Sequence, residues 1–566
     1  MPTRPDRTPD RTPFCGYPTP GPQSPGAGQL IGNAYCTGWQ HVQATRYDFI
    51  VIGTGPAGVA FIERTLARNP HAAILVLERG GYWLPVHVQN LPTAFRAIAG
   101  EAPVTYPWTR SEAMATSGAR FVQAGMIPML GGRSTCWHGW CPAPQPDQLR
   151  GWPQALVERT TQPGFWDGTR AFLHVTGADR IDDNVYGSLQ RQLDNRLREN
   201  FKHCVPSALD VQPAPLAVLH PERPGAGFHK FSTVGTQLGL QQRHKALAAQ
   251  GQGRELHIVD RCTVELLLHD GDGRVTTLET GCGPIRVGDA KIVLAMGAIP
   301  SATLLMNSFG DLLPNAGKRY TGHLMSRFTA RARRSAFRDV SALELGAHVL
   351  HGRHDNGLQY QVQVSAFASR DPACDAATMA AEAPDAGAVP SPAQLQGSED
   401  WVLFACTALG EIGEKNGDNG MGLNGGADPT TNITLQLQAG PMETSLWDLM
   451  DDAACRTADA LARRSAGAPS SIEYWIDEGP SGYWQTARPP RQQVRSSLVV
   501  DEASPLWIGE DPSSSVVGLD YRPHEVRNVY VTGAALFPTA GAWNPTLAVC
   551  GLAQDLADRM VRAAPG

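Results

Sequence analysis

Hydrophobic and polar positions along the chain sort into a few sharp patterns. YDFIVIG, from Tyr47 to Gly53, is a short apolar run suited to a strand buried on both faces. It runs straight into GTGPAG and then VAFIERTLARN, whose apolar residues recur at helical spacing. A second apolar run, AAILVLE, ends at Glu78. IVLAMGAI, from Ile292, is apolar throughout and predicts a central parallel strand, while NVYVTG, from Asn528, predicts another strand near the C-terminus. ELHIVDRCTVELLLHDGDGRVTTLETG predicts strands joined by a hairpin turn at DGDG. RFTARARR alternates, so the seven Lys or Arg between positions 318 and 338 are expected on the wet face of a sheet strand. SLWDLMDDAACRTADALARR (445–464) has the spacing of an amphipathic helix. Together these elements predict an α/β fold.

Composition narrows the picture. Length alone, 566 residues, suggests about four domains. A net charge of −6 with 18% charged residues argues against an electrostatic nucleic-acid binder. No apolar run approaches the roughly 18 residues of a membrane span, so a soluble protein with no membrane partner is expected. Eleven cysteines spread from Cys15 to Cys550 have neither zinc spacing nor a disulfide grid, and reduced thiols with no metal site are expected. Eight of the 44 prolines fall in the first 25 residues, and residues 1–30 are expected to be a disordered tail. That start has no apolar signal core, which points to a cytoplasmic protein.

The chemistry begins at GTGPAG. Gly53 suits the tight turn, Gly55 the close approach of a pyrophosphate, and Gly58 the packing of helix on strand. The helix start at Pro56 and Ala57 then turns free N–H groups toward the phosphates. Glu78 ends the second strand twenty residues past Gly58, where a carboxylate accepts hydrogen bonds from a ribose 2′-OH. The combination points to a dinucleotide and leaves FAD and NAD open.

Three further segments bear on that choice. MLGGRSTCWHGW (129–140), AKIVLAMGAIPSATLLMNS (290–308) and NVYVTGAALFPTAGAWNPTLAVCGLAQDLADRM (528–560) resemble, in order and spacing, the signature regions of the glucose–methanol–choline (GMC) oxidoreductases. The resemblance implies FAD, held in a Rossmann-like domain built from discontinuous segments, residues 45–310 and 500–562. It also implies an antiparallel-sheet substrate domain at 311–499. The implied cofactor-binding set is Gly53, Gly55, Pro56, Ala57, Gly58, Glu78, Arg79, Gly131, Gly132, Ser134, Val264, Ala535, Asn544 and Thr546. Gly131 and Gly132 leave room for a flat ring system, and Pro545 sits at an expected helix N1 position with Asn544 as its cap.

One position departs from the family pattern. Family members oxidise alcohols with a His base, in a stretch reading like H-E-A-G-T, while flavin N5 takes the hydride. Here the stretch is DEASPLWIGEDP, with Asp501 at the His position and Ser504-Pro505 in place of G-T. Asn544 keeps the place of the base's partner. Three readings follow. Asp501 is the base, its pKa raised by apolar surroundings; or His138 in CWHGW is the base; or the reaction is a desaturation, a reduction or a redox-neutral rearrangement that needs no alcohol deprotonation. The expected function is FAD-dependent oxidation of a CH–OH group on a small organic substrate, with that non-alcohol chemistry as the alternative and an electron acceptor the sequence does not name. Cys136 stands where some members carry a covalent flavin link, although a buried free thiol is the simpler expectation. Residues 371–400, rich in Ala, Pro and acid, are expected to be a surface insertion, and Trp475, Tyr483 and Trp484 core packing rather than a cavity wall.

Overall fold

A computed structural model describes residues 34–92, 115–117, 121–123, 126–181, 185–219, 229–463, 470–479 and 481–562. The expected tail at 1–30 lies outside the described residues. The apolar runs form a five-stranded parallel sheet in the order Val529–Val531, Lys291–Leu294, Phe49–Ile52, Ile74–Leu77, His257–Val259. Phe49–Ile52 and Ile74–Leu77 are buried along their whole length, as a sheet covered on both faces requires. The Pro56–Arg68 helix packs against the C-terminal Thr546–Arg562 helix. Arg64 clamps that contact through two hydrogen bonds to Asp558, at 2.9 and 2.7 Å, joining the two ends of the chain. The strand predicted from IVLAMGAI is shorter than its apolar run. It stops at Leu294, and a helix starts at Ala298 after Gly297, whose φ of +91° turns the chain.

The second architectural unit is a nine-stranded sheet. Its main path runs Ser481–Gln485, Glu473–Glu478, Thr321–Arg333, Trp401–Ile412, Gln359–Ser369, Leu343–Arg353, Ala208–Pro213, and every pairing along it is antiparallel. Leu498–Ala503 pairs with the start of Thr321–Arg333. The Pro441–Ala462 helix covers one face, where Trp447 donates to Ser326 and a Cβ at Gly410 would meet Met450. Odd-numbered residues of the 321–333 and 401–412 strands therefore face the opposite way, and His323, Arg327, Thr407 and Glu411 share that second face. On it, Arg331 lies over both Trp401 and Trp484, and Arg333 over Trp401, so these charges stack on aromatic rings as well as meeting solvent. Trp475 and Trp484 pack edge to face in the terminal hairpin, whereas Tyr483 is exposed.

Residues 371–400 correct the sequence expectation of a surface insertion. A helix spans Pro372–Glu382, with the Asp371 carboxylate accepting from the N–H of Cys374 at 3.2 Å, and a short helical turn spans Pro392–Leu395. Met379, Ala383 and Leu395 are buried with Trp140, Phe367 and Trp401 in a second apolar cluster. The Ala and Pro content suggested an exposed loop because the apolar anchors are few and widely spaced. Once the helix and the turn form, Met379, Ala383 and Leu395 meet in one apolar cluster.

Candidate functional site

The glycine turn has the expected form, and each glycine has its own cause. Gly53 sits at φ +103°, and a Cβ there would lie 2.6 Å from the Ala295 carbonyl oxygen; one on Gly58 would lie 2.2 Å from the Gly53 carbonyl oxygen. Gly55 has nothing within 4 Å on its Cβ side, so its backbone is open to a close ligand. Glu78 is buried at the next strand end, where Oε2 accepts from the N–H and the hydroxyl of Thr54, at 3.0 and 2.6 Å, and Oε1 from Gly80 N–H at 2.9 Å. Burial pushes the Glu78 carboxyl up, with these hydrogen bonds working against it. Thr54 Oγ1 in turn accepts from Gly131 N–H at 3.0 Å, which ties the Gly131–Gly132 loop to the turn. A Cβ on Gly132 would press to 3.3 Å from Gly55 Cα, so the two glycine segments lie backbone to backbone. Ser134 holds the loop by donating to the Gly131 carbonyl at 2.6 Å.

These segments open into one cleft. Of the expected cofactor set, Gly53, Gly55, Pro56, Ala57, Glu78, Arg79, Gly132, Ser134, Val264 and Thr546 line it. Gly58, Gly131, Ala535 and Asn544 do not, because each is one step behind the wall. Ala534 and Pro545 line the cleft in the places expected of Ala535 and Asn544. The C-terminal helix starts at Thr546, one residue later than the sequence suggests, and Pro545 O accepts from Val549 N–H. The Asn544 side-chain oxygen accepts from Gln361 and Gln363, at 2.8 and 2.7 Å, which binds this corner to the large sheet. The residues fit an FAD: an open backbone at Gly55, a helix start beside it, and a second helix start at Thr546 across the same cleft. Cys136 is buried beside Leu84, Ile127 and Met129, with its thiol directed to the Arg133 carbonyl.

Asp501 lines the cleft in left-handed backbone, φ +57°, followed by Ser504 at φ +80°. Its Oδ2 meets His323 Nδ1 at 3.0 Å. Burial alone would raise the Asp501 carboxyl, but the hydrogen bond and charge of His323, with Arg133 and His138 near by, hold it below the usual carboxylate range. This corrects the expectation of a raised pKa at Asp501. Next to it Glu502 receives two hydrogen bonds from Arg133, at 2.8 and 2.7 Å.

His138 follows Trp137, which lines the cleft, and its Nε2 lies 3.1 Å from Asp385 Oδ1. Burial lowers the His138 pKa, and Asp385 and Asp501 oppose that shift. Asp385 is 1% exposed and also contacts Arg327 at 3.2 Å and the N–H of Gly387 at 2.6 Å. Buried Lys230 donates to Gln89 and to the Pro384 carbonyl, and burial lowers its pKa to about 7. Sequence reasoning brought out Asp501, His138 and Asn544 but missed His323 and Asp385. The signals were faint: a His in the TGHLMS stretch entering a strand, and one acid among several in an Ala-rich run.

With this geometry in view, comparisons with known proteins agree. Residues 416–553 match the family model described as GMC oxidoreductase. No curated protein matches the sequence. The fold is similar to that of pyridoxine 4-oxidase from Mesorbium loti, with TM-score 0.58, 16% identity, and coverage of 92% of this chain and 100% of that one. It is also similar to a mutant formate oxidase of Aspergillus oryzae RIB40 solved to follow FAD modification, with TM-score 0.55, 13% identity, and coverage of 92% and 98%. The parallel sheet with its glycine turn, set against an antiparallel sheet, is the architecture of an FAD-dependent oxidoreductase. Over residues 416–553 the chain is thus similar to the GMC oxidoreductases.

Proposed function

We propose that the protein oxidises a CH–OH group on a small organic substrate, with His138 as proton acceptor. The observation carrying this reading is that the glycine turn, the Thr546 helix start and Asp501 line one cleft, with His138 close enough to Asp501 for their charges to interact. FAD, when bound, supplies the hydride acceptor. The chain's own residues do the rest. His138, its pKa lowered, is neutral at pH 7 and able to take the hydroxyl proton. Asp501, held below the ordinary carboxylate range, is a poor proton acceptor and instead lends negative charge to the imidazolium that forms. Asn544, fixed by Gln361 and Gln363, borders the cleft wall at Pro545. In this reading the FAD domain comprises residues 45–310 and 500–562, and the substrate domain residues 311–499 together with the Ala208–Pro213 strand that joins its sheet. A cytoplasmic setting suits a chain whose described cysteines are free. Anaerobic mixing with a panel of alcohols, sugars and amines tests the proposal. Bleaching of the flavin bands by an alcohol or sugar is expected, whereas bleaching by amines alone sinks the CH–OH reading.

A further inference from the structure

The geometry points to Asp385 as the positioning residue that makes His138 a base. It comes from the 371–400 segment, far in sequence from the FAD motifs, and it is anchored from three sides. Gly387 N–H donates to Oδ1, Arg327 contacts Oδ2, and His138 Nε2 lies 3.1 Å from Oδ1. Burial would raise its carboxyl, but His138, Arg327, Lys230 and the Gly387 N–H hold it low, so it is ionised at neutral pH. An ionised acceptor at this distance selects the tautomer with the proton on Nε2, which leaves the lone pair on Nδ1. During turnover the substrate O–H bond breaks and its proton goes to Nδ1. FAD held along Gly55 and Thr546 would supply the acceptor for the hydride from the carbinol carbon, whose bond to oxygen becomes a carbonyl. Asp385 keeps its charge throughout and opposes the positive charge gained by the ring.

The groups facing His138 are Asp385, Arg327, Lys230, Asp501 and His87, from separate elements. The two carboxylates favour the imidazolium, and Arg327 and Lys230 oppose it. Removing the Asp385 charge therefore lowers the His138 pKa.

The inference rests on His138 as the proton acceptor, and its test separates the two ideas. Holoenzyme with 15N-labelled histidine reports the His138 tautomer and pKa directly, and anaerobic flavin reduction by a substrate from the bleaching panel reports the base. Expected are an Nε2–H tautomer at pH 8, a lowered His138 pKa in Asp385→Asn, and flavin reduction slowed about tenfold or more in that variant, with Asp385→Glu restoring the pKa. An Nδ1–H tautomer in the wild-type protein overturns the inference without any variant. So does an Asp385→Asn protein with unchanged His138 pKa and rate, even while His138→Ala is slow. If His138→Ala reduces flavin at the wild-type rate, the base assignment itself falls, and this inference with it.

Discussion

Two carboxylate–imidazole pairs stand beside the cleft, and they are built in opposite senses. In the first, the Asp501 side chain is 27% exposed and its partner His323 is 1% exposed; in the second, His138 is 36% exposed and its partner Asp385 is 1% exposed. In each pair the buried member faces the more exposed one; Asp501 itself lines the cleft, and His138 follows Trp137, which lines it. An outward carboxylate with an imidazole behind it stays ionised, and an outward imidazole with a carboxylate behind it is a neutral group that gains from taking a proton. The same two residue types in swapped positions therefore suit two different tasks. In the proposed reading, Asp501 at the position expected for a base His does not empty the site of a base, because the second pair supplies His138.

The sharpest way to break this contrast is His138→Ala. Flavin reduction at pH 7.5 is expected to slow by about 10²–10⁴-fold, the usual worth of a general base. A larger loss in Asp501→Asn than in His138→Ala would reverse the two roles. A stability measurement comes next. Glu502→Ala leaves Arg133 without its two-pronged partner beside Asp501, and it should cost about 2–4 kcal/mol in chemical denaturation, below the full value for a buried pair because Arg133 is partly exposed. Asp501→Asn should slow flavin reduction about tenfold, since one unit of nearby charge is lost while the acceptor remains. The smallest effect is a matter of pH. His138 must be neutral to act and its pKa is lowered, so the reduction rate should fall with acidification only below the ordinary imidazole value of about 6.5. An acid limb above that value would point to a different group.

Much of the nucleotide half was legible in the sequence because its contacts are local. Gly53, Gly55 and Gly58 lie within six positions and answer to one turn, and Glu78 bonds to Thr54 and Gly80 within the same strand–helix–strand unit. The half built on the nine-stranded sheet was less legible. Gln361 and Gln363 reach Asn544 across about 180 positions, and His323 reaches Asp501 across a similar span. Residues 371–400 were misjudged for a related reason. Their composition describes an exposed loop, whereas their packing depends on where Met379 and Leu395 meet Trp140 and Trp401.

The sequence by itself determined a dinucleotide site, through a fingerprint in which backbone freedom and close approach can be met by few residue types at fixed spacing, and the resemblance of three further segments pointed to FAD. It also placed Asp501 at the position where the resemblance leads one to expect a His. Which side chains surround that aspartate was decided only by the tertiary structure. A pKa follows burial and the charges within a few ångströms, and those charges are brought to Asp501 and His138 by strands and helices that the chain order keeps far apart.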